Sequence, residues 1–236
     1  MTDRSQLIGQ NLQAIRQNID ETAQAYGRDP DSIRLVAISK TFPPQDVEAA
    51  FAAGQRLFGE NRAQELVAKA AAIRAQGLDC QWHMVGTLQT NKVRQLVGRV
   101  SLIHSVDSLR LIQAIQKEAE KLSIQQAILL QVNVSGEASK HGFEPADLEP
   151  LLRSKGEYPN IVFSGLMTMA PFFDDPEEAG PIFARLRDLR GSLTDRLGLT
   201  DFKDLSMGMT GDYRQAIREG ATLIRLGGAV FGRRAP

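Results

Sequence analysis

The chain has 236 residues, of which 42% are hydrophobic, and its 28 Lys and Arg residues balance 28 Asp and Glu residues. This length and apolar content suffice for one complete hydrophobic core, and the balanced charge gives no sign of nucleic-acid binding. A single cysteine, Cys80, cannot form an intrachain disulfide, which fits a reducing compartment. No secretory signal or membrane-spanning apolar run is visible, so we expect a cytoplasmic protein that binds neither nucleic acid nor membrane.

The predicted elements begin with a helix over residues 3–26, in which Ile8, Leu12, Ile15 and Ile19 recur at helical spacing. Eight strand-like segments follow, and in chain order they read "RLVAISK", "LFGE", "CQWHMVG", "SLIHSVDS", "QAILLQVNVS", "NIVFSGLMTMA", "DLSMG" and "TLIRLGGAVFG". Helix-like segments alternate with them, at residues 44–53, 61–77 and 90–98, around Leu111 and Ile115, and at residues 144–154, 176–198 and 212–220.

Strands that alternate with helices predict a parallel sheet. Eight such units in about 200 residues favour a closed (β/α)8 TIM barrel, and an open doubly wound sheet is the alternative. No linker rich in Pro, Gly or Ser divides the chain. We therefore expect one α/β domain over residues 1–236, with an extra N-terminal helix in residues 1–28 and the barrel in residues 33–232.

Lys40 ends the first predicted strand, in "LVAISKTFPP". The active face of such a barrel lies at the C-terminal ends of its strands. Burying an ammonium ion is costly, so a lysine at the end of a buried strand favours a neutral, nucleophilic amine that can form a Schiff base with an aldehyde. The alternative is a lysine that extends past the strand into solvent, and Lys40 considered alone favours this alternative.

The last two loops indicate a phosphate site. "SMGMTGDY" offers the hydroxyls of Ser206 and Thr210, and "RLGGAVFG" offers Gly227 and Gly228. Glycines and helix N-termini let backbone N–H groups approach an anion, and the loops after strands seven and eight are the usual phosphate site of this barrel. Either loop alone fits an ordinary tight turn, but both together favour phosphate. A phosphate site and a Schiff-base lysine on one face suggest pyridoxal 5′-phosphate (PLP).

Arg225 lies within the eighth predicted strand. If it points into the barrel top, it could donate a hydrogen bond to the pyridine nitrogen of PLP and keep that nitrogen unprotonated, because a guanidinium stays charged. An ion pair with a carboxylate on a neighbouring strand is an equally good interpretation. The histidines His83, His104 and His141 show no metal-ligand spacing, so we expect packed or solvent-exposed residues and no metal site.

Eight segments in this order over about 200 residues resemble the pyridoxal phosphate homeostasis proteins (YggS/PROSC type): "VAISKT", "FGENR", "WHMVGTLQTNK", "HSVDS", "VNVSGEASKHGF", "GLMTM", "LSMGMTGDYRQAI" and "RLGGAVFG". The resemblance implies the barrel of the alanine racemase N-terminal domain, with PLP held as a covalent internal aldimine on Lys40. It places the other cofactor-binding residues in matching motifs: a phosphate-binding group of Ser206, Thr210, Gly227 and Gly228, then Arg225 at the pyridine nitrogen, and Asn61, His83 and Met167 along the cofactor. We read "SGEASKHGF" as a surface loop.

The resemblance further implies a protein of PLP (vitamin B6) homeostasis that affects amino-acid balance without a defined reaction, with PLP-dependent apoenzymes as candidate acceptors. A PLP-dependent racemase is the alternative, but it needs a second base, which alanine racemases take from another domain, and this chain stops eleven residues after Arg225. A lysine-dependent aldolase is a third hypothesis, although aldolases of this fold tend to carry the lysine on a later strand. We expect a monomer.

Overall fold

A computed structural model describes residues 3–136 and 141–232, which form a closed barrel of eight parallel strands. The strands are β1 Arg34–Ile38, β2 Leu57–Glu60, β3 Gln81–Met84, β4 Leu102–Val106, β5 Gln126–Gln131, β6 Ile161–Met167, β7 Asp204–Ser206 and β8 Leu223–Leu226. Each strand pairs with the next, and β8 pairs with β1, with Val36 opposite Arg225. The predicted barrel is therefore confirmed, and the open doubly wound alternative is wrong.

The helices of the described residues surround the barrel as α1 Asp3–Ala25, α2 Pro44–Ala52, α3 Ala63–Ala75, α4 Val93–Leu96, α5 Leu109–Lys121, α6 Pro145–Arg153, α7 Gly180–Leu197, α8 Tyr213–Arg218 and α9 Gly228–Phe231. The apolar stripe of α1 is buried, and α1 packs on α2, α8 and α9. A 3-10 turn replaces the first half of the helix predicted at 90–98, and α9 is one turn that the sequence did not predict. In the part of the chain that the structure describes, no helix could span a membrane.

Side chains alternate between the inside of the barrel and the layer under the helices. Val36 and Ile38 belong to a small cluster inside the barrel, whereas Ala37 and Phe58 belong to the main core between strands and helices. The inner cluster also contains Leu57, Leu102, Leu129, Met167 and Leu223. Since apolar residues fill the middle of the barrel, polar side chains above them gather at the C-terminal ends of the strands. Residues 137–140 of the predicted surface loop lie outside the described residues.

Candidate functional site

Lys40 lies in a tight turn directly after β1. The turn is closed by a hydrogen bond from the Phe42 N–H to the Ser39 carbonyl, over 3.0 Å. Thr41 has a φ of 67°, in the left-handed region that β-branched residues avoid. Ser39 is the last fully buried residue of the segment and Lys40 is exposed. Lys40 therefore matches the solvent-extended alternative, because the turn directs it away from the strand and leaves it accessible.

Three buried polar side chains lie behind this turn, in the layer between the barrel and α3. The Ser39 hydroxyl donates to Glu60 Oε1 over 2.7 Å, and Lys69 of α3 donates to the Ser39 carbonyl over 2.7 Å. Lys69 also forms an ion pair with Glu60. Sequence reasoning missed this cluster, although one signal was present: Lys69 shares the buried face of α3 with Leu66 and Ile73.

A second polar chain crosses the inside of the barrel top. Arg225 donates to the Ser206 hydroxyl over 2.6 Å and to the Thr168 carbonyl over 3.0 Å. The same Ser206 hydroxyl lies 2.8 Å from His104 Nδ1, and His104 Nε2 lies 2.8 Å from His83 Nδ1. All five residues are buried. The chain joins two predicted site residues on β7 and β8, Ser206 and Arg225, to His83 on β3, through His104 on β4.

Burial sets the charges of this chain. It lowers the pKa of Arg225 to about 10, opposed by the negative charge of Asp212, and Arg225 has no ion pair within the described residues. The ion pair considered as an alternative for Arg225 is therefore not found there. Burial, with a smaller effect of Arg34, lowers the pKa of His83 to about 3, and the pKa of His104 is also well below its ordinary value. Both histidines are neutral near pH 7.

The loop after β8 borders the end of β1, just before the turn that carries Lys40. Gly227 follows the pairing of β8 with β1, and a Cβ on Gly227 would lie 3.3 Å from the Ile38 carbonyl oxygen. Gly228 and Thr210 are exposed, and a Cβ on Gly228 would meet no atom within 4 Å. Of the predicted phosphate residues, Gly228 and Thr210 are therefore accessible, Gly227 packs against the end of β1, and Ser206 is buried and contacts Arg225.

The remaining predicted residues take different positions. Asn61 follows β2 and is half-buried, and its backbone packs so closely on Gly86 that a Cβ there would lie 2.4 Å from the Asn61 carbonyl oxygen. Met167 is fully buried inside the barrel, below the polar chain. In residues 3–136 and 141–232, no group of three His, Cys, Asp or Glu residues is arranged to hold a metal ion.

Comparisons with known proteins find similar sequences and similar folds. The chain matches the family of the alanine racemase N-terminal domain over residues 10–235. A pyridoxal phosphate homeostasis protein of Aquifex aeolicus is 41% identical, over 95% of this chain and 97% of its own length. PipY of Synechococcus elongatus, solved with PLP bound, is 36% identical, with a TM-score of 0.84 over 95% of this chain and all of its own. An alanine racemase of Clostridium difficile, 14% identical, shares the fold, with a TM-score of 0.73 over 98% of this chain and 58% of its own.

Proposed function

Because the chain belongs to the family of pyridoxal phosphate homeostasis proteins, we propose that it binds PLP and acts in PLP homeostasis. It holds PLP as a Schiff base on Lys40 and does not turn over a substrate. The observation that carries this proposal is the pairing of an exposed lysine at the end of β1 with a buried arginine on β8 that is hydrogen-bonded to neutral partners alone in the described residues. The aldehyde of PLP can react with the lysine, and the pyridine nitrogen of PLP can accept a hydrogen bond from the arginine.

Arg225 fits the pyridine nitrogen because no carboxylate of the described residues forms an ion pair with it. Its guanidinium is held in place by Ser206 and Thr168, which are neutral acceptors. A buried cation with free donor capacity favours an unprotonated ring nitrogen as a hydrogen-bond acceptor. In this assignment Ser206 acts through Arg225, since its hydroxyl already accepts from Arg225 and lies beside His104. Its place in the phosphate-binding group stays a prediction.

The loops after β7 and β8 fit the phosphate of PLP. Gly228 leaves open space where a side chain would stand, and Thr210 presents an exposed hydroxyl. Backbone N–H groups at the start of a helical turn and a nearby hydroxyl are suitable donors to an anion. We assign Thr210, Gly227 and Gly228 to the phosphate, with Asn61, His83 and Met167 placed along or below the ring.

Lys40 supplies the covalent link. Its amine adds to the aldehyde carbon and one water molecule leaves, so neither oxidant nor reductant is consumed. When bound, PLP provides an electron sink, which a ring nitrogen facing an arginine makes weak. His104 has both ring nitrogens engaged, which leaves it unsuited to act as the second base of a racemase. These features support a carrier or buffer of PLP. The same proposal includes a cytoplasmic, monomeric protein that supplies PLP to apoenzymes and so affects amino-acid balance.

The test is an absorption spectrum of the purified protein with PLP, before and after borohydride, followed by peptide mass spectrometry. The protein should show a long-wavelength band that borohydride removes, with the reduced label on Lys40. Lys40→Ala should lack this label, and Lys203→Ala, which alters an exposed lysine at the other end of the barrel, should keep it. Absence of any band with excess PLP would refute the proposal. Exchange of the α-hydrogen of alanine with solvent deuterium at an enzymatic rate would favour the racemase.

A further inference from the structure

We propose that Lys69 and Glu60 form a positioning pair that holds the Ser39 carbonyl and thereby the turn that presents Lys40. This inference rests on the proposed function for the role of Lys40. Neither residue faces the barrel mouth: Glu60 contacts Lys69 of α3, on the outer side of the strands. The pair therefore acts through the backbone, and not by contact with a ligand.

The Ser39 carbonyl accepts two hydrogen bonds, and each has its own structural effect. The Ser39 carbonyl accepts from the Phe42 N–H over 3.0 Å, which closes the turn, and from Lys69 Nζ over 2.7 Å, which fixes the turn to α3. Lys40 and Thr41 are the two residues inside this turn. Thr41 stays in the left-handed region only if its surroundings hold it, because that conformation is strained for a β-branched side chain. The anchored Ser39 provides such a restraint.

The register of β1 and β2 brings Ser39 next to Glu60. Ile38 pairs with Gly59, so Ser39, the residue directly after β1, lies beside Glu60, the last residue of β2. The Ser39 hydroxyl donates to Glu60 Oε1 over 2.7 Å, and Lys69 pairs with the same oxygen. Ser39 is thus held through its side chain by Glu60 and through its backbone by Lys69. Gly59 fits this place because a Cβ would lie 2.6 Å from Ile38 Cδ1, inside the barrel.

The buried ion pair of Glu60 and Lys69 is poorly suited to a purely stabilising role. Glu60 is 0% and Lys69 is 7% exposed, so both charges have lost their hydration. Replacing a buried ion pair with neutral groups of similar shape is often neutral or stabilising. In addition, Glu60 Oε2 is buried and has no hydrogen-bond partner among the described residues, so one of the two carboxylate oxygens stays unused there. Both features are accounted for if the pair exists to hold Ser39.

The experiment uses the double variant Glu60→Gln/Lys69→Met. It removes both charges together, so no unpaired buried charge remains, and the glutamine amide oxygen can still accept from Ser39. The control is Arg34→Met, which breaks the ion pair of Arg34 with Asp204 at the opposite end of β1. Four properties are measured for each: the melting temperature, amide hydrogen exchange of peptides covering residues 38–44 without PLP, the dissociation constant for PLP, and the circular dichroism of bound PLP.

We expect the double variant to melt close to the parent protein and to exchange faster in residues 38–44 by about tenfold or more. Its PLP affinity should fall by about tenfold, with an altered circular dichroism band, and the control should change none of these. Unchanged exchange in residues 38–44 would overturn the proposal. If the parent protein forms no link to Lys40, the proposed function fails, while exchange without PLP still decides the role of the pair. Should the double variant not fold, Glu60→Gln/Lys69→Gln, which also removes both charges but keeps polar side chains at both positions, takes its place, and exchange in residues 38–44 decides in the same way.

Discussion

Arg225 Nη1 and Ser206 Oγ lie 2.6 Å apart. This hydrogen bond determines which atom donates and which accepts in the hydrogen bonds that run from Ser206 through His104 to His83. An arginine can only donate, so the Ser206 hydroxyl accepts from it and must give its own hydrogen to His104 Nδ1, 2.8 Å away. His104 then carries its hydrogen on Nε2 and donates it to His83 Nδ1. A charged group on β8 thus sets the tautomers of histidines on β4 and β3.

The first prediction concerns these tautomers. Both histidines should be neutral with the hydrogen on Nε2, because each Nδ1 accepts a hydrogen bond. The nitrogen chemical shifts of the two rings, measured by long-range 15N correlation NMR near pH 7, report the tautomers directly. In Arg225→Met the orientation of the Ser206 hydroxyl is released, and the tautomer of His104 should become mixed. A hydrogen on Nδ1 of His104 in the parent protein would contradict this direction of the chain.

The second prediction concerns Ser206→Ala. The change leaves Arg225 Nη1 and His104 Nδ1 without their shared partner, in a buried site. Leaving buried polar groups unpaired costs about 1–3 kcal/mol, so the free energy of unfolding should fall by that amount. A less firmly held Arg225 should also weaken PLP binding by about tenfold, or about 1.4 kcal/mol.

Urea unfolding and PLP titration check these two effects. Ser101→Ala is the matched control, because Ser101 donates to the Trp82 carbonyl at the other end of β4. It should leave PLP binding unchanged. Equal PLP affinity in Ser206→Ala and the parent protein would show that Ser206 neither supports Arg225 nor contacts the phosphate.

The third prediction is a pH dependence of stability. Burial lowers the pKa of His83 from 6.5 to about 3 in the folded protein, and the pKa of His104 is lowered too. The unfolded chain therefore binds more protons than the folded one below pH 6.5, and stability is complete above that pH and falls as the pH drops. His83 should cost about 2 kcal/mol between about pH 8 and about pH 5, and His104 should add a loss in the same direction.

Urea unfolding at several pH values measures this slope. His83→Asn removes one titrating group and keeps an acceptor for His104, so it should lose the part of the pH dependence that His83 contributes. An identical pH dependence in this variant would mean that His83 titrates in the folded protein near its ordinary pKa.

Much of the fold was readable from local patterns, because each β/α unit is encoded by adjacent residues. The segment "LFGE" coincides with β2, and the order of the strands then brings the loops of Lys40, Thr210 and Gly228 to one face. The register between neighbouring strands could not be predicted from local sequence patterns. The contact of His83 with His104 depends on how β3 aligns with β4, and the residues are 21 positions apart.

Lys40 shows a similar limit of local patterns. An apolar strand predicts burial up to its end, but the turn after Ser39 determines whether the next side chain is covered, and Thr41 adopts a left-handed conformation that threonine rarely takes. Lys69 was not among the predicted site residues, since lysines are rarely buried. Its buried position follows from the face of α3 that it shares with Leu66 and Ile73.

The last prediction tests the phosphate loops through Gly228. A side chain there meets no atom within 4 Å, and Gly228 is the first residue of α9, where an acidic residue does not disfavour the helix. Gly228→Asp should therefore fold normally but repel a phosphate, and the dissociation constant for PLP should rise by about tenfold or more. Gly228→Asn has the same size without the charge, and its affinity should stay much closer to the parent value. Pyridoxal, which lacks the phosphate, should bind both variants equally, since it has no charge for the aspartate to repel. Equal PLP affinity of the Asp and Asn variants would move the phosphate away from the start of α9.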